Sequence, residues 1–92
     1  MARPPWPIIP RVDWDEYNAE HLALHGVLPW EVEEMLAEGD FFVRPHKKRR
    51  KDPKYQRRYL LTGRTLGGRA LVVVVDFIPP DTLRPVTAYD ER

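Results

Sequence analysis

The chain has 92 residues, 42% of them hydrophobic, with 15 Lys and Arg against 14 Asp and Glu, ten prolines and no cysteine. That length holds one small core and no second, and without cysteine neither a disulfide framework nor a thiolate metal site can form. No apolar stretch approaches the roughly 20 residues of a membrane-spanning helix. The N-terminus also lacks a basic region followed by an apolar run, so a soluble, cytoplasmic protein is expected.

The near-neutral total hides a sorting of charge. From Val12 to Val43 there are nine acids and no Lys or Arg; from Arg44 to Arg58 there are nine bases and one acid, Asp52. A dense basic segment attracts phosphate backbones or acidic partners in a salt-dependent way.

Met1 to Pro10 carries Pro4, Pro5, Pro7 and Pro10. Proline fixes φ and cannot donate, so residues 1–11 are expected as an extended arm ahead of a single domain at 12–92, with Trp6 and Ile8 pinning it to the body. A short strand near Val12 can open the domain. Asp13 or Asp15 can cap a helix running to about His25, with Gly26 as its left-handed stop. Trp14, Tyr17, Leu22 and Leu24 give that helix a ragged apolar face. Pro29 suits the first position of a second helix, Pro29–Glu38, ended by Gly39. Val27 and Val32 are placed for a hydrophobic staple, and Val32, Met35 and Leu36 repeat at core spacing.

Strand character then takes over. Phe41–Val43 is short and apolar, and Pro45–Lys54 is a charged connector broken by Pro53. Arg58–Arg64 reads as a strand, followed by a tight turn at Gly67-Gly68. Ala70–Ile78 has the unbroken β-branched run of a strand covered on both faces. Thr82–Ala88 is a last strand, at an edge or bulged because Pro85 cannot donate to a ladder. The expected fold is therefore α+β, two N-terminal helices packed on a small, mainly antiparallel sheet.

Trp14-Asp15, Asn18, His25-Gly26-Val27, Arg58-Tyr59, Gly63-Arg64, Gly68-Arg69, Arg84 and Thr87-Ala88 stand in an order and spacing that resembles the BrnT-type toxins of bacterial type II toxin–antitoxin systems. These are small members of the RelE/ParE-like superfamily, and the resemblance spans roughly Val12 to Tyr89. It implies a RelE-like fold and a ribonuclease-type toxin that inhibits translation by cutting RNA. Its expected partners are RNA and a cognate, DNA-binding antitoxin. The chain departs from the family pattern at Arg57, where an acid is usual, and at Tyr89, where an arginine is usual.

Metal-free RNA cleavage needs a base for the 2′-hydroxyl, cations for the charged phosphorane and an acid for the leaving oxygen. Arg58, Arg69 and Arg84 match family positions and suit bidentate phosphate contacts; surface ion pairs are the alternative. His25 matches the family too, although at a helix C-terminus it can simply cap carbonyls. Tyr89 can hydrogen-bond or stack in place of the missing arginine, or lie at the core edge. His46 has a pKa suited to proton transfer but matches no family position, and is read as a solvated loop residue. His21 is read as an exposed helix residue. Lys47, Lys48, Arg49, Arg50, Lys51 and Lys54, with Tyr55 for base stacking, form the expected RNA contact; a solvated charged loop is the alternative. There is no metal-binding spacing and no phosphate loop, so neither a metal nor a cofactor is expected.

Three functions stay open on these residues: a metal-independent endoribonuclease toxin, a non-catalytic RNA- or protein-binding module, and a domain whose opposite charge blocks drive self-association.

Overall fold

The elements follow in the order β1 (Arg11–Val12), α1 (Glu16–Leu24), α2 (Pro29–Glu38), β2 (Phe41–Pro45), a single 3-10 turn (Pro53–Tyr55), β3 (Arg58–Arg64), β4 (Ala70–Ile78) and β5 (Thr82–Asp90). The structure is a computed structural model and describes residues 4–7, 10–48 and 51–91. The strands form one sheet, ordered β1-β5-β4-β3-β2. Only the β1–β5 pair is parallel. The α+β expectation of two helices followed by a mainly antiparallel sheet therefore matches the architecture. Among the described residues no helix is long and apolar enough to cross a membrane.

Side-chain alternation decides what each sheet face meets. Val43, Leu61, Val73 and Ala88 lie on one cross-strand row. They join Leu22, Val27, Val32 and Met35 of the helical layer in one core cluster. The opposite face carries the row Phe42–Thr62–Val72–Tyr89 and the row Arg44–Leu60–Val74–Thr87. β4 lies in the middle of the sheet, so Val72 and Val74 are buried even on this outer face, by their neighbours on β3 and β5. That explains the unbroken Leu71–Val75 run.

Both helices end as their sequences require. Gly26 and Gly39 adopt φ of +77° and +72°, the left-handed region that glycine enters without a Cβ penalty. The face of α1 differs from the expected apolar stripe. Leu22 is buried, but Tyr17 and Leu24 are 76% and 83% exposed. The helix is held instead by Asn18, which is 1% exposed. Its side-chain oxygen accepts from the Asp15 amide at 2.8 Å, and Asp15 Oδ1 accepts from the Asn18 amide at 2.9 Å. Asn18 Nδ2 donates to the carbonyls of Asp13 (2.9 Å) and Pro85 (3.0 Å), tying α1 to β5.

Pro85 sits at the expected irregularity. Val74 pairs with Thr87 and Val75 with Pro85, so Val86 is an extra residue that bulges β5. The strand runs two residues beyond the expected end, and β2 likewise extends from Val43 to Pro45. At the start of β2, a Cβ on Gly63 would lie 2.5 Å from the Asp40 carbonyl oxygen and from Phe41 Cβ, so only glycine admits this close approach. The N-terminal arm is pinned by Trp6, 6% exposed, whose ring meets Tyr59 edge-on at 5.4 Å and Phe77 at 5.7 Å. Ile8 lies outside the described residues.

Candidate nucleic-acid interface

The three arginines singled out from sequence all make ion pairs. Arg58 at the start of β3 donates to both oxygens of Asp76, at 2.7 and 2.9 Å. Arg84 donates to Asp13 (3.2 Å) and Asp15 (2.8 Å). Arg69 donates to both oxygens of Glu31 (2.7 and 2.8 Å) and to both of Asp90 (2.8 and 3.0 Å). The Asp76 carboxylate raises the Arg58 pKa against the opposing effect of desolvation, as Asp15 does for Arg84 and Asp90 then Glu31 for Arg69. The reciprocal effect is resolved at Asp15, held below its ordinary value first by the Asn18 amide and then by Arg84.

These arginines do not share one site. Asp76 is the cross-strand partner of both Arg58 and Arg84, so those two flank it at one end of the sheet. Arg69 precedes β4 at the other end, seven residues from Asp76 along an extended chain, or about 23 Å. There it joins the N-terminus of α2 to the end of β5, and Glu31, 8% exposed, also accepts the Leu28 amide at 3.0 Å. His25 caps the C-terminus of α1 near this end, its ring 5.3 Å from that of His21. His21 is half-buried, stacked on Tyr17 at 6.4 Å, rather than freely exposed.

The described residues of the connector make local contacts that a solvated charged loop does not need. Asp52 Oδ1 accepts the Lys54 amide at 3.0 Å and starts the 3-10 turn. That turn presents Tyr55, whose ring stacks on His46 at 4.7 Å with 21° between planes. Lys54, Lys48 and the Arg58 guanidinium lie 5.3, 5.7 and 5.0 Å from the same ring. Tyr55 therefore gathers cations, and one of its faces is taken by His46. The imidazole is half-buried rather than fully solvated, and His46 Nδ1 accepts the Lys48 amide at 3.1 Å. Desolvation first, then Arg58, Lys48 and Lys47, pushes its pKa down.

His46 and Lys47 stand between two cavities. One, of about 390 Å³, opens on the outer sheet face and is lined by Arg44, Leu60, Val74 and Tyr89 with the loop. The other, of about 890 Å³, lies towards the arm and is bordered by Pro5, Arg57, Tyr59 and Phe77. Phe42 and Tyr89, 57% and 45% exposed, occupy the two ends of one row on the outer face. Three strand spacings set them about 14 Å apart. Among the described residues, Arg44, Lys47, Lys48, Lys51, Lys54 and Arg57 make no ion pair with a carboxylate. Arg49 and Arg50 lie outside the described residues.

The arrangement thus joins Lys47, Lys48, Lys54, Tyr55 and Tyr89 of the expected site around one surface and sets Arg69 and His25 apart. Arg44 and Phe42 were missed, although strand alternation around buried Val43 signals that both face outward. Asp76 was missed as well; its signal is a lone acid in an apolar strand, which needs a cationic partner. No group of His, Cys, Asp or Glu suited to a metal ion occurs among the described residues. Comparison of the chain with protein-family models, with curated proteins and with solved structures found no match.

Proposed function

We propose that the protein acts on RNA as a ribonuclease-type toxin of a type II toxin–antitoxin pair, with single-stranded RNA lying across the outer sheet face and basic loop. The observation that carries this reading is the set of cations without carboxylate partners beside exposed aromatic rings. A phosphate backbone neutralises such cations, while bases stack on Phe42 and Tyr89. In this reading the two helices and five strands are a RelE-like arrangement, the protein works in the cytoplasm, and its activity is restrained by an antitoxin. His46 is the histidine on this face, the side-chain type suited to proton transfer near neutral pH, and Arg44 and Lys47 can stabilise negative charge developing on the phosphorane oxygens.

The ion pairing of Arg58, Arg69 and Arg84 favours a second reading, a module that holds RNA without cutting it. Incubation of purified protein with end-labelled single-stranded RNA, with and without EDTA, separates the two. The toxin reading expects cleavage in both, products ending in 2′,3′-cyclic phosphate, and loss of cutting in His46→Ala and Arg44→Ala. Retarded but intact RNA supports the holding module. Absence of both cutting and binding at low salt overturns both.

A further inference from the structure

Away from the basic face, a groove of about 450 Å³ runs between the start of α2 and the β3–β4 hairpin. Its lining includes Trp30 and Leu66, 58% and 70% exposed, two large apolar side chains bordering the same groove from different elements. Trp30 and Glu34 are one helical turn apart and share a face of α2. Glu34 Oε1 accepts the Leu66 amide at 2.6 Å, which fixes the carboxylate in the groove and ties the hairpin tip to the helix. Of the cations at this hairpin, Arg69 lines the groove and is neutralised by Glu31 and Asp90, while Arg64, outside the lining, donates to the Gly68 carbonyl at 3.3 Å. The groove is thus apolar-walled and negative. The helical surface around it carries Glu33 and Glu38 and no Lys or Arg.

We infer that this groove binds a basic, leucine-containing segment of a second protein, the aliphatic side chain between Trp30 and Leu66 and a Lys or Arg on Glu34 with its cation against the indole face. Charge complementarity selects a basic occupant, and the two apolar walls require that it carry apolar side chains too. The chain's own basic loop meets only the first requirement. Between Lys47 and Lys54 it has no leucine, isoleucine, valine or phenylalanine, and Tyr55 is already stacked on His46. A loop-to-groove contact between copies would also be head-to-tail and need not close. The inference is independent of the RNA reading, because none of its residues belongs to the basic face.

The probe is a synthetic amphipathic peptide with Leu and Lys at helical spacing, titrated into the whole protein and followed by NMR. The expected result is saturable shifts of the Trp30 indole N–H and Leu66 methyls. Trp30→Ala should weaken binding by about tenfold or more, and Glu34→Gln by up to roughly fivefold with a shallower salt dependence. Leu66→Ala, at an exposed position, provides a second variant that leaves the fold unchanged. Three results overturn the inference: shifts centred elsewhere, equal binding of a peptide with Ala for every Leu, and Trp30 shifts that follow protein concentration alone with a matching rise in sedimenting mass. The last would make a second copy the occupant.

Discussion

The salt dependence of RNA binding tests the basic face most directly. Six cations on or beside it have no carboxylate partner among the described residues: Arg44, Lys47, Lys48, Lys51, Lys54 and Arg57. Each phosphate neutralised on a single strand contributes about −0.7 to the slope of log K against log salt, so six give about −4, and engagement of Arg49 and Arg50 brings it to about −6. A slope of −4 weakens binding by roughly 300-fold between 50 and 200 mM salt. Replacing Lys47, Lys48, Lys51 and Lys54 with Ala should flatten the slope by about 3 and leave binding weak even at low salt. The assay is fluorescence anisotropy of a labelled single-stranded RNA of about 15 nucleotides, close to the largest single-domain site sizes, with circular dichroism confirming that the variant folds. A wild-type slope shallower than about −1, or one unchanged in the fourfold variant, refutes the reasoning.

Other consequences follow from single groups. His46 should stay neutral at pH 7 and titrate below the ordinary histidine value. Its contribution to stability should therefore be present above about pH 6.5 and decline as pH falls, since the unfolded chain takes up the proton first. Bound RNA should move that titration upward; identical NMR titrations of the ring with and without RNA would place His46 away from the phosphates. Asn18→Ala removes the side-chain donor to the Asp13 and Pro85 carbonyls and half of a capping box, so it should cost about 2–4 kcal/mol in denaturant unfolding. A loss under about 1 kcal/mol would mean that Leu22 alone holds α1. Thr62 has a buried hydroxyl with no hydrogen-bond partner among the described residues. Thr62→Val should therefore stabilise by about 1 kcal/mol, a rise of some 4–8 °C in Tm for a domain of this size; a fall in Tm contradicts the assignment.

The secondary structure was legible because local signals and tertiary needs agree. Pro29 and Gly39 bound α2, and the β-branched Ala70–Ile78 run is the central strand. α1 was read less well, because its attachment uses a polar residue. Periodicity weights Leu24 and Tyr17, yet both face outward while Asn18 turns in. The site was only partly legible for a related reason. Residue type marks arginines as phosphate ligands, but the partner of each is fixed by register and bulge geometry. Asp76 lies opposite Arg58 by the regular β3–β4 register, and opposite Arg84 only because β5 carries an extra residue at Val86. The tyrosine–histidine stack flanking the connector was hidden inside a sequence that reads as repelling charge.

The pairing pattern also bears on what the charge blocks are for. Arg58, Arg69 and Arg84 meet Asp13, Asp15, Glu31, Asp76 and Asp90, holding the start of α1, α2 and the sheet together. Only one of these arginines, Arg58, comes from the nine-base segment. The fold thus neutralises arginines that lie mostly outside the basic segment, while Arg44, Lys47, Lys48, Lys51, Lys54 and Arg57 of that segment have no carboxylate partner among the described residues. Like charges concentrated in one segment in this way oppose folding rather than support it. The fourfold lysine variant should therefore unfold at higher temperature than the wild type in low salt, and added salt should narrow the gap by screening. A domain that becomes more stable as it loses RNA has a charged loop maintained for a partner. If instead the variant is less stable at every salt concentration, the lysines serve the fold, and the case for an RNA-binding face fails with it.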